Sequence, residues 1–294
     1  LRQQFVVIPL RFWDRFEFVP WGGGTYGGCH EHLFDRRMKE MRRMGMTGIL
    51  MNPYDYTPAY IAAVTNNNLK MVTKGGSEAE GRKSAKYGGL LNIWADEQVV
   101  HEDRTEKGIT AFMNWLNDRY EDIEALNKVW ETAFKDWKSV KPLLDLDDAI
   151  QRNSERGKMN FSPWSDYRDY LDWKFAHKFE LSRKEFEKGD PNCRFGVSGT
   201  QIGSTKRGND WWLLTRVLTA LMNYGGGDQF RQHRSFSDLP LTPWAGYGKM
   251  GPRIRHQHWS HAFNGMNGVG YFAERTLLEP DFTWFEGAED THKV

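Results

Sequence analysis

Cysteine is almost missing from this chain. Its two cysteines, Cys29 and Cys193, lack the spacing of a redox or zinc motif. Two separate buried thiols are expected rather than a bridge, and the compartment stays open: cytoplasmic, periplasmic or secreted. No apolar run approaches the ~20 residues that cross a bilayer, so a soluble chain with no membrane partner is expected. No block of like charge exceeds a few residues and the formal net charge is +1, which leaves no electrostatic footprint for nucleic acid. Gly-x-x-x-x-Gly-Lys-Ser/Thr is absent, and no Gly-x-Gly-x-x-Gly adjoins the first apolar run at 5–10. Gly-x-Ser-x-Gly is absent too, so Ser198 in "VSGTQ" has no support as an esterase nucleophile. The histidine-rich runs "CHEH" (29–32) and "HQHWSH" (256–261) do not match His-Glu-x-x-His. His258 and His261 read as helix-surface histidines, and no metal or cofactor is expected. The chain begins at Leu1 without a signal-peptide pattern, which reads as a processed chain or a piece of a longer one.

Aromatic residues are what the chain has in excess. They make up 14% of it, with 13 Trp, about three times the usual share for this length. Much of that is core, because Trp is bulky and favours burial. A carbohydrate cleft needs the same surplus, since sugar rings stack their apolar faces on aromatic planes.

Short apolar runs recur along the whole length: "FVVIPL" (5–10), "GILM" (48–51), "LKMVT" (69–73), "LLNIW" (90–94), "FGVSG" (195–199), "ALMNY" (220–224), "LPLTPW" (239–244) and "GVGYF" (268–272). Stretches with helical periodicity separate most of them: 29–45, 58–68, two consecutive helices in 105–134, a long one over 164–188, then "NDWWLLTRVL" and "PRIRHQHWSHAFNG". The Gly-rich connection at 74–89 predicts only a weak helix, and at least one of Trp211 and Trp212 is expected to face the core. Eight strands alternating with helices predict an α/β chain folded as a single (β/α)₈ TIM barrel over residues 1–294, with a doubly wound open sheet as the rival.

In such a barrel active sites lie at the C-terminal ends of the strands. The fourth run continues into Asp96-Glu97, two adjacent carboxylates at the mouth. From here the chain resembles a known family. "FMNWLNDRYEDIEALNKVWETAFKDWKSV" (112–140) is similar to the stretch after strand four of the glycoside hydrolase family 42 β-galactosidases, through Phe112, Trp115-Leu116, Tyr120, Leu126-Asn127, Trp130 and Thr132-Ala133-Phe134. "WSHAFNGMNGVGYF" (259–272) and "LLEPDFT" (277–283) resemble the last helix, eighth strand and run-out of the wider clan of (β/α)₈ retaining glycosidases. In that family the first stretch follows Asn-Glu, whose Glu is the general acid/base. The resemblance therefore implies that Glu97 is the acid/base and that Asp96 replaces the Asn. It also implies an oligosaccharide or polysaccharide substrate, and leaves the oligomeric state open.

One departure stands out. The clan places its nucleophile, a Glu, at the end of strand seven, and "LPLTPWAGYGKMG" (239–251) contains none. Two carboxyl groups flank the scissile bond in most glycosidases, so the second must come from another strand end. Glu274 in "GYFAERT" and Asp228 in "MNYGGGDQF" are the candidates. Each has a plainer reading: Glu274 pairing with Arg275, and Asp228 capping a helix that starts at Gln229. Asp14 and Asp55 read as hydroxyl-binding or turn-capping acids. Trp13, Trp21, Trp94, Trp244 and Tyr247 are candidate sugar platforms, and Arg234 is a hydroxyl binder or half of an ion pair. Two functions follow: a glycosidase cutting a β-linked glycan or β-galactoside, or a carbohydrate-binding barrel that has lost catalysis with its strand-seven Glu.

Overall fold

The computed structural model describes residues 16–21, 30–51, 57–199, 209–223, 227–237, 242–245, 253–272 and 277–292, with backbone alone at 223, 227–228, 242–245 and 291–292. The strands are β1 (Glu17–Pro20), β2 (Gly48–Leu50), β3 (Lys70–Thr73), β4 (Gly89–Asp96), β5 (Arg194–Ser198), β6 (Ala220–Asn223), β7 (Thr242–Ala245) and β8 (Gly268–Tyr271). All pair in parallel in the order β1-β8-β7-β6-β5-β4-β3-β2. The sheet closes where Thr47 N–H donates to the Phe18 carbonyl (2.9 Å) and Trp21 bridges Leu50. This is the expected (β/α)₈ barrel.

The helices are α1 (Phe34–Arg43), α2 (Pro58–Asn66), α3 (Glu78–Tyr87), α4 (Glu106–Arg119), α5 (Ile123–Trp130), α6 (Leu146–Arg156), α7 (Ser162–Glu187), α8 (Trp211–Val217), α9 (Gly227–Ser235), α10 (Arg253–Phe263) and α11 (Glu289–His292). None is long and apolar enough to cross a membrane among the described residues. The chain divides into two compact units. The first holds 1–98, 179–202 and 214–294, with all eight strands, and the second holds 99–178 and 203–213.

In the first unit the register fixes what faces inward. Val19, Leu50, Val72, Leu91, Ile93, Ala220 and Met222 form one buried cluster. Below it Lys70 binds the buried Glu17 at 2.9 Å. That pair explains a departure from expectation. The apolar run at 5–10, read as the first strand, lies outside the described residues, and the first strand described comes later. It is Glu17–Pro20, which carries a charge that hydropathy reads as non-strand. Gly22, Gly24 and Gly27 consequently follow a strand at dinucleotide-motif spacing, yet a closed barrel lacks the open-sheet crevice that motif serves.

The helix expected to be weak is well formed. Ser77 Oγ accepts from Glu80 N–H while Glu80 Oε2 accepts from Ser77 N–H at 2.9 Å, a capping box, and Gly88 ends α3 in the left-handed region at φ 67°. Cys193 is a free, buried thiol, and burial pushes its pKa up to about 12; Cys29 lies outside the described residues.

The histidines of α10 are a correction. His258 and His261 are buried rather than on the helix surface. His258 Nε2 shares a 2.5 Å hydrogen bond with the Tyr271 hydroxyl of β8, and its ring meets Phe18 edge-on and lies near Phe16 and His261. The 3.6 period of α10 places residues 254, 258 and 261 on the inward stripe. Desolvation first, then His261, lowers the His258 pKa from 6.5 to about 4. The unfolded chain therefore binds this proton from pH 6.5 downward and the folded chain does not. The stability His258 contributes as a neutral side chain is complete above pH 6.5 and is lost as pH falls toward about 4. The stability difference between the wild type and His258→Gln should change across that window by up to about 3 kcal/mol. Urea melts at stepped pH read this, and a difference independent of pH contradicts it.

The second unit packs Phe112, Leu116, Leu126, Trp130, Val140, Tyr167, Tyr170 and Leu171 into one core. Within it the family-like signature has a structural explanation. Buried Asp166 accepts from Tyr120 Oη and from Trp130 Nε1, each at 2.6 Å. Asn127 holds a turn: its Oδ1 accepts from Thr132 Oγ1 (2.8 Å) and Phe134 N–H (2.9 Å), and its Nδ2 donates to the Phe134 carbonyl (2.8 Å). Trp211 is buried and Trp212 exposed, as expected of that pair.

Candidate active site

β4 decides which acid faces the barrel interior. Ile93 pairs with Gly196, Ala95 with Val197 and Asp96 with Ser198, so the register skips Trp94. Gly196 and Ser198 pair in turn with Ala220 and Met222 of the interior cluster. Partners in register share a face, which puts Asp96 and Ser198 on the inner face in the last layer before the mouth. Strict alternation from Leu91 and Ile93 would have placed Ala95 and Glu97 there; the bulge shifts the phase by one residue.

Ser198 Oγ donates to Asp96 Oδ1 at 2.8 Å, and Gln98 Nε2 donates to the Asp96 carbonyl at 3.2 Å. Glu97 is the first residue past the strand. Its N–H donates to the Ser198 carbonyl (3.0 Å), its side chain is exposed, and its backbone is left-handed at φ 48°. A non-glycine residue there carries about 1 kcal/mol or more of strain.

Trp94 is corrected by the same bulge. Its ring meets Phe179 of α7 edge-on at 5.0 Å, on the helix side of the sheet, and it is no mouth platform. Trp21, directly after β1, packs on the interior cluster. Lys74 Nζ stands 4.3 Å over its ring, and Phe272, half exposed after β8, meets its edge at 6.2 Å.

The remaining candidates separate. Trp244 pairs through its backbone with Met222 and with Gly268, and its side chain lies outside the description. Asp228 falls in the first turn of α9, which begins at Gly227, rather than ahead of a helix starting at Gln229. Arg234 lies in the last turn of α9 and donates to the Gly265 carbonyl at 3.1 Å, in the turn that precedes β8. That turn is at the N-terminal end of the strands, away from the mouth. Trp13, Asp14, Asp55, Tyr247 and Glu274 lie outside the described residues. The structure thus gathers Trp21, Asp96 and Glu97 at one rim and sets Arg234 apart. Ser198, Lys74 and Phe272 join that rim without having been singled out as binders; only the position of Ser198 near a strand end signalled it.

The site is thus a parallel eight-stranded barrel with adjacent carboxylates at the end of strand four. Residues 91–212 match the family model described as Beta-galactosidase, glycoside hydrolase family 42. The chain is a divergent protein resembling that family. Among solved structures it is similar to the catalytic domain of β-amylase from Paenibacillus polymyxa, at 12% identity and TM-score 0.72, covering 96% of this chain and 98% of that one. It is also similar to β-galactosidase from Marinomonas ef1, at 13% identity and TM-score 0.68, covering 95% of this chain and 58% of that one. The β-galactosidase of Halorubrum lacusprofundi follows at 12% identity and TM-score 0.66, with 94% and 57% covered. This chain therefore spans under two thirds of those two β-galactosidases. No curated protein matches it by sequence.

Proposed function

We propose that this chain is a glycosidase that hydrolyses a β-linked glycan or β-galactoside, with Glu97 as general acid/base. The supporting observation is position: the Glu that matches the family's acid/base is the first residue beyond β4, held at the rim by a strained backbone. Glu97 protonates the glycosidic oxygen as the C–O bond breaks. A second carboxylate, from Glu274 or Asp228, either attacks the anomeric carbon or takes a proton from the attacking water. Trp21, Trp244 and Tyr247 stack on sugar rings and Asp96 binds a sugar hydroxyl. The absence of a Glu in the strand-seven segment 239–251 favours the second reading, a carbohydrate-binding barrel without turnover. Aryl glycosides and plant or algal polysaccharides separate the two: release of reducing ends supports the enzyme, and binding without release supports the binder.

Trp21 gives a milder expectation. Trp21→Ala should weaken glycan binding by about 1–2 kcal/mol. Because Trp21 is only partly buried, the melting temperature should fall by a few degrees at most. Calorimetric titration beside a thermal melt reads both, and unfolding of the variant would make Trp21 a core residue.

A further inference from the structure

Asp96 differs from the Asn it replaces in one chemical respect: an amide both donates and accepts, and a carboxylate only accepts. Its surroundings make that difference consequential. It is half buried on the inner face of the mouth, and one oxygen is occupied by the hydroxyl of Ser198, which is 1% exposed. Among the described residues no Lys, Arg or His pairs with it. A partly desolvated carboxylate without a cation draws on hydrogen-bond donors to hold its charge. The one proton of Ser198 is directed at it, and among the described residues no other side chain donates to its carboxylate, which leaves a place for a donor from the ligand.

We propose that Asp96, oriented by Ser198, is a specificity-determining residue that admits only a sugar presenting a hydrogen-bond donor at that point, a hydroxyl or a protonated amine. A sugar etherified or acylated there is rejected, because two acceptors would face each other. This rests on the glycosidase reading and names the substrate class within it. Asn at the same place would tolerate both kinds of sugar, since its amide can turn to donate.

The test uses the full chain carrying Glu97→Gln, so that ligands survive, titrated with oligosaccharides methylated at one hydroxyl at a time and with amino-sugar counterparts. One methylated position should bind roughly 10- to 100-fold more weakly than its parent. Adding Asp96→Asn should shrink that ratio to within about threefold, as the amide supplies the donor the ether lacks. An amine counterpart that binds more tightly than the hydroxyl parent, with an advantage lost in Asp96→Asn, identifies an ammonium as the donor. Equal binding of the two identifies a hydroxyl. Ser198→Ala should reduce the discrimination partially, and it carries the test if Asp96→Asn does not fold. Discrimination unchanged in the folded variants overturns the proposal. A wild type that neither binds nor cleaves any carbohydrate in the panel overturns the glycosidase reading instead.

Discussion

Glu97→Gln should lower kcat on an unactivated glycoside by about 10²- to 10⁴-fold while leaving folding and glycan affinity nearly unchanged. The amide is isosteric with the carboxyl, so only proton transfer is lost. Stability should hold because the side chain is exposed and the Glu97 N–H to Ser198 carbonyl bond belongs to the backbone, which the substitution leaves in place. An aryl glycoside with a good leaving group needs less help from an acid, so the loss there should be smaller. The comparison between the two substrates separates acid catalysis from general damage. Ordinary activity of the variant on an unactivated substrate would remove Glu97 from the mechanism. Should Asp96→Asn instead show the larger loss and the same leaving-group dependence, the inward carboxylate is the acid.

The barrel itself was legible because its evidence is repetitive. Seven of the eight expected runs overlap strands of the structure, and each is a short apolar stretch between helical ones. The exception, β1, failed because a strand whose inner face carries Glu17 opposite Lys70 does not look like core. Local polar chemistry carries a signal that apolar periodicity does not: Ser77-Glu78-Ala79-Glu80 is a capping-box sequence inside a Gly-rich connection. The interior direction of Asp96 was not legible at all. It depends on a one-residue slip at Trp94, which arises from pairing with β5 a hundred residues away and leaves no local trace. Burial of His258 was hidden differently, since the sequence shows a histidine cluster and not the Tyr271 hydroxyl that accommodates it. The family-like signature around Asn127 and Trp130 turned out to be scaffold: a side-chain-held turn and a buried Asp166 network. Its value for function is indirect, because it locates the strand that carries Glu97.

The second carboxylate is the other change expected to abolish activity. Strand seven supplies Thr242, Trp244 and, beyond it, Tyr247, and none of these is an acid. The flanking strand ends supply one each. Asp228 sits in the first turn of α9. An Asp side chain is shorter than a Glu, which suits the wider separation of roughly 6.5–9.5 Å that holds the attacking water of an inverting enzyme. Glu274 comes three residues after the end of β8 in the sequence, and a Glu side chain is one methylene longer than an Asp. A separation near ~5 Å would make it a nucleophile and the reaction retaining. The two cases predict different first products. Proton NMR of the anomeric signal during early hydrolysis should show retention if Glu274→Gln is the variant that loses about 10³-fold or more in kcat, and inversion if Asp228→Asn is. Azide should rescue the retaining case alone, by taking the place of the missing nucleophile in a glycosyl azide product. Full activity in both variants would mean that the partner of Glu97 is neither of them, and the two-carboxylate assignment at these strand ends would fall.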